Sequence, residues 1–186
     1  QINNYGRNMQ YFLKNIAKKL VFGSILIYNY KVIRVKEEIY MVTLDKIYHA
    51  SYVLKDVVIP TPLVKATAIS DDCEVYLKPE NLQITGSFKV RGSGYKISQL
   101  TEEEKKRGVI ACSAGNHAQG VALAATKYGI KSLICLPDGA PISKVEATKG
   151  YGAEVCMVPG VYDDAYNKAC ELRDEHNYTF IHPFDD

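Results

Sequence analysis

With 186 residues the chain is long enough to bury a core, and its 24% charged and 47% hydrophobic residues are those of a globular domain, not of a disordered tract. The formal charge of +2 hides a split: residues 1–40 carry seven Lys/Arg against two acids, whereas residues 41–186 carry 16 against 19. A mildly acidic body without a clustered Lys/Arg stripe excludes nucleic acid as the expected partner.

The apolar stretch 20–30 is flanked by Lys18, Lys19 and Lys31. It is too short to span a bilayer, and no small-residue cleavage site follows it, so no membrane partner is expected. Residues 1–40 are read as a leader outside the working protein, with Met41 as the start. Lys36-Glu37-Glu38 can be encoded as a purine-rich ribosome-binding sequence just ahead of it. A native amphipathic extension or a membrane anchor is the competing reading.

Beyond Met41, Leu44, Ile47, Ala50, Tyr52 and Val53 fall close to helical spacing and predict a helix within 43–57, after which Pro60 and Pro62 impose extended chain. Residues 74–77 predict a short strand. A helix is expected to start near Ser87, a good N-cap residue, with Lys89 in its first turn. Residues 101–107 read as a charged helix. Three strand-then-helix units follow: 109–112 with a helix through 121–127, 132–136 with a helix over 143–149, and 153–158 with a helix over 163–176. A strand-like run over 178–182 closes the chain. Strands alternating with helices at this spacing predict an α/β class domain, a doubly wound parallel sheet. Ligands in such folds bind beyond the C-terminal strand ends, where loop 113–117 lies.

The five cysteines, Cys73, Cys112, Cys135, Cys156 and Cys170, are odd in number and widely spaced, with no CxxC and no His at zinc-ligand spacing. They are expected to be reduced, buried thiols of a cytoplasmic protein, and no metal site is expected.

Two segments carry chemistry. The first, Thr85-Gly86-Ser87-Phe88-Lys89-Val90-Arg91-Gly92, puts a lysine at a helix start, where unpaired N–H groups and the macrodipole disfavour an ammonium. Such an amine can attack carbonyls, although most lysines in a first turn are simply solvated. The second, Ser113-Ala114-Gly115-Asn116-His117-Ala118-Gln119-Gly120, offers backbone N–H groups at a helix N-terminus, suited to a carboxylate or phosphate or serving only as an ordinary capped loop. Gly92-Ser93-Gly94 does not extend to GxGxxG, because Ile97 stands at the third glycine position, so a dinucleotide site is unsupported.

Together and in this order, the two segments closely resemble the N-terminal signatures of fold-type II pyridoxal 5'-phosphate (PLP) enzymes, and among them the threonine dehydratase (threonine ammonia-lyase) family. The resemblance runs from about Met41 to Asp186 and includes Thr61-Pro62-Leu63, Leu77-Lys78-Pro79-Glu80-Asn81 and Pro137-Asp138-Gly139-Ala140-Pro141. It implies a tryptophan synthase beta-like fold in which residues 75–160 or so form a small α/β subdomain and the flanking parts belong to an incomplete large one. Lys89 would hold PLP through the cofactor's aldehyde and later take the Cα proton of the substrate. Phe88 would pack against the pyridine ring, and Asn116 would hydrogen-bond its 3'-oxygen. The turn of Ser113, Ala114, Gly115, Asn116 and His117 would hold the substrate carboxylate, with the His117 side chain in a structural role. The implied reaction turns L-threonine into 2-oxobutanoate and ammonia, and L-serine into pyruvate, in a homo-oligomer.

Related serine racemases place a serine where this chain has Ala114, which favours elimination over racemisation. Cysteine synthases would show Asn-Thr in place of Asn116-His117. A non-catalytic module on the same fold is the reading from another class. The glycine-rich loop that cradles the PLP phosphate lies further along in the family, so the chain is expected to be an N-terminal piece that is inactive alone.

Overall fold

The computed structural model describes residues 42–69 and 72–184, together with the backbone of three short strands ahead of them. Those strands, β1 (Leu20–Phe22), β2 (Ile25–Tyr28) and β3 (Lys31–Arg34), form an antiparallel sheet with Leu20 opposite Ile27 and Leu26 opposite Ile33. They belong to a unit over Gln1–Thr43, separate from a second unit over Leu44–Asp186. The leader expected over residues 1–40 otherwise lies outside the described residues.

The second unit opens with α1 (Leu44–Val53), a helix where the apolar spacing predicts one. None of its residues is buried, and Leu44, Ile47 and Tyr52 are each more than half exposed. Periodicity makes the helix amphipathic without supplying a surface to cover its apolar stripe. Burial begins just beyond it, where Leu54 and Val57 pack against Val90 and Leu123. Two short strands, β4 (Val64–Lys65) and β5 (Tyr76–Leu77), then pair antiparallel.

Helix α2 (Lys89–Ser98) starts with Phe88 as its N-cap residue, while the Lys89 N–H donates to Ser87 Oγ at 3.4 Å. Helix α3 (Glu102–Arg107) starts in a capping box. The Glu104 N–H donates to Thr101 Oγ1 at 3.3 Å, and the Thr101 N–H donates to Glu104 Oε2 at 2.8 Å. Three acids in its first turn and three bases in its last complement the macrodipole, which is how so charged and short a segment holds its helix.

The core is a four-stranded sheet of β6 (Val109–Cys112), β7 (Ser132–Pro137), β8 (Glu154–Val158) and β9 (Thr179–Phe180), parallel throughout and ordered β8-β7-β6-β9. Side-chain alternation sorts each strand between two apolar layers. Val109, Ala111, Ile134 and Leu136 face α2, α4 (Asn116–Lys127) and α5 (Ile142–Gly150). Ile110, Cys112 and Cys135 face α6 (Tyr162–His176). All four residues of β6 are fully buried, which explains its unbroken apolar run.

Strands β6, β7 and β8 step outward in one direction, and after α6 the chain returns to lay β9 on the other side of β6. The topological switch point therefore falls between β6 and β9, where loops leaving the carboxyl ends of neighbouring strands part in opposite directions. Among the described residues no helix is long and apolar enough to cross a membrane.

Candidate active site

Loop 113–117 leaves the end of β6, and residues 181–184 leave the end of β9, so both rise from the same end of the sheet at the switch point. The His117 ring bridges them: buried at the start of α4, its Nε2–H donates to the Ile181 carbonyl at 3.0 Å. A carbonyl partner assigns the proton to that nitrogen. Beside this bridge a cavity of about 550 Å3 opens, a volume suited to a small molecule. Phe88, the N-cap residue of α2, and Lys89 line it at the start of that helix and His117 from α4, and Ile181, His182, Pro183 and Phe184 form a further wall.

Lys89 is half-buried there. Its ammonium donates to the Pro183 carbonyl at 3.3 Å and lies 5.5 Å from the centre of the Phe88 ring. The lysine is set in place by the approach of α2 to α4 at Gly120. A Cβ on Gly120 would stand 2.9 Å from Ser93 Oγ and 3.0 Å from the Lys89 carbonyl carbon, so no side chain fits. Gly120→Ala is accordingly expected to cost about 1–3 kcal/mol in chemical denaturation by forcing α4 off the start of α2.

A clamp secures the same helix from the other direction. Arg91 donates from Nε to Glu80 Oε2 at 2.7 Å and from a terminal nitrogen to Glu80 Oε1 at 2.9 Å. The Thr61 hydroxyl donates to Glu80 at 2.5 Å, and Lys78 donates to the Thr61 carbonyl at 2.7 Å. The Arg91 hydrogen bond leads the Thr61 bond and nearby cations in holding the Glu80 carboxyl down at about 2, against a smaller opposing effect of burial.

Of the residues singled out in the sequence, Phe88, Lys89 and His117 line this cavity. Ser113, Ala114 and Gly115 occupy the turn between β6 and α4 and Asn116 opens α4, all outside the cavity lining. Within that turn the Gly115 N–H donates to Ser113 Oγ at 3.2 Å, and the exposed Asn116 accepts from Lys144 through Oδ1 at 3.1 Å. Sequence reasoning passed over Lys144, the Glu80–Arg91 clamp and the 181–184 wall. Only the clamp left a trace, as an acid and an arginine flanking the lysine motif. Cys112 and Cys135 are buried as expected, but Cys156 and Cys170 are half-buried and Cys73 is exposed, because they lie on an edge strand, a helix and a loop.

Comparison with known proteins identifies the family of this fold. A family model described as pyridoxal-phosphate dependent enzyme matches residues 54–186. The chain is 49% identical over 148 residues to the L-threonine ammonia-lyase of Thermotoga maritima, an alignment covering 78% of this chain and 37% of that protein. It resembles a threonine deaminase isoform of Solanum lycopersicum at 36% identity and a TM-score of 0.69, covering 78% of this chain and 44% of the other. A maize serine racemase matches at 33% identity and a TM-score of 0.74, covering 79% and 45%. The chain thus spans less than half the length of these relatives. It belongs to the pyridoxal-phosphate dependent enzyme family, in its fold-type II branch.

Proposed function

We propose that the protein is a PLP-dependent ammonia-lyase that converts L-threonine to 2-oxobutanoate and ammonia, and L-serine to pyruvate and ammonia. The observation that carries this reading is Lys89 in the cavity at the switch point of a sheet whose relatives include an L-threonine ammonia-lyase.

The residues present fit the aldehyde and the ring of the cofactor: a half-buried primary amine, an adjacent aromatic face at Phe88, and amide and hydroxyl donors in the neighbouring turn. When bound, PLP supplies an electron sink for the pair left at the substrate Cα. Lys89 Nζ would hold the cofactor and would serve as the base for the substrate Cα proton, for which it must leave the Pro183 carbonyl. Asn116, whose Oδ1 accepts from Lys144, would offer the N–H bonds of its amide to the ring's 3'-oxygen. Backbone N–H groups of the turn hold the substrate carboxylate with the Ser113 hydroxyl, which can donate its O–H while its oxygen still accepts from the Gly115 N–H. Ala114 brings no hydroxyl to the opposite face of the substrate, which leaves β-elimination as the outcome.

The fold similarity to a serine racemase favours racemisation as the second reading. Chiral analysis of the products formed from L-serine, by an enzyme that carries this chain together with the rest of its relatives' length, separates the two. Pyruvate with no D-serine supports the lyase; D-serine as the main product refutes it.

A further inference from the structure

Away from that cavity, the sheet carries a second group of reactive side chains. Cys112, Cys135 and Cys156 occupy matched positions on three adjacent strands, Cys112 paired with Cys135 and Cys135 with Cys156. All three share the face that packs on Ala165 and Ala169 of α6, and Cys170 lies on the same helix. Among the described residues no three His, Cys, Asp or Glu side chains are placed to hold a metal ion, so thiol chemistry is what the cluster can offer.

Position decides which thiol starts and which finishes. Burial pushes the Cys112 thiol up to about 11 and that of Cys135 up to about 12, so neither is a first nucleophile near neutral pH. Cys156 is half-buried and reachable. Neighbouring strands run about 4.8 Å apart, inside the Cα range of a disulfide, but the Cβ atoms must close to about 3.8 Å. Strands β6 and β7 are held on both sides, whereas β8 is an edge of the described sheet and can move inward.

We propose that Cys156 and Cys135 form an oxidative modification site, in which a hydroperoxide oxidises Cys156 and Cys135 closes a reversible disulfide between β8 and β7. With hydrogen peroxide, the Cys156 sulfur takes one oxygen, the O–O bond breaks, and the thiol proton leaves with the other oxygen as water. The Cys135 sulfur then attacks the Cys156 sulfur, the S–O bond breaks, and that oxygen leaves as a second water with the Cys135 proton. Two thiols and one peroxide give one disulfide and two waters.

The test treats the full chain with hydrogen peroxide, alkylates it under denaturing conditions and maps its peptides by mass spectrometry. A Cys135–Cys156 linked peptide, about 2 Da below the sum of the two thiol peptides and lost on reduction, is the expected result. Closure should quicken about tenfold per pH unit between about pH 7 and 9, because Cys135 must lose its proton to attack. Cys156→Ser should remove the linkage and Cys170→Ser should not. Mapping of the unsubstituted protein decides the matter even where a variant fails to fold. An unreacted Cys156, a Cys156 sulfinic acid beside an intact Cys135 thiol, or a bond made instead through Cys112 or Cys170 overturns the proposal.

Discussion

In an enzyme that carries this chain together with the rest of its relatives' length, replacing Lys89 with alanine is expected to lower threonine turnover by about a thousandfold or more while leaving the unfolding midpoint almost unchanged. The two effects separate because the lysine is held in place by others. Its ammonium makes one long bond, 3.3 Å, to the Pro183 carbonyl, and its aliphatic stem is half-exposed, so truncation removes little packing. On the proposed function, chemistry loses both the amine that holds the cofactor and the base at Cα. Lys89→Arg should not restore activity, because a guanidinium keeps the charge and is neither a nucleophile nor a base at working pH. Retention of a tenth of the turnover by Lys89→Ala would contradict the assignment.

A stability effect that depends on pH is expected at Glu80. Its carboxylate is 15% exposed and its partner Arg91 34% exposed, and the pair is bidentate. Holding the carboxyl at about 2 against an ordinary value of 4.5 corresponds to about 3 kcal/mol, which solvent screening at Arg91 reduces to about 2. Because the folded-state value is depressed, this stabilisation is complete above about pH 4.5 and is lost as pH falls through about 2. Glu80→Ala should therefore lose about 2 kcal/mol in urea denaturation at neutral pH. The gap between the two proteins should narrow steadily between about pH 4.5 and 2. A gap that stays constant over that range would show that lost packing, and not the ion pair, is responsible.

The strands and helices of the sheet domain were legible because each apolar run is short, flanked by charge and closed by a recognisable stop. Asn177 ends α6 in the left-handed conformation, and Thr101 opens α3 with a capping box. The helix over 44–53 was legible as a helix, but its exposure was not, since spacing reports a face and not its cover. The placement of β9 beside β6 is a pairing across about seventy residues that no local pattern encodes, and with it went the cavity wall at 181–184. Lys89 could be singled out because the motif around it is dense. Lys144 could not, because its contact with Asn116 depends on how α5 lies beside α4.

Borohydride reduction of the protein in the presence of PLP, followed by peptide mapping, reports which amine takes the cofactor. A single pyridoxyl group on the Lys89 peptide is expected at substoichiometric PLP. Labelling spread over surface lysines, or concentrated on Lys96 or Lys144 with Lys89 unmodified, would contradict it.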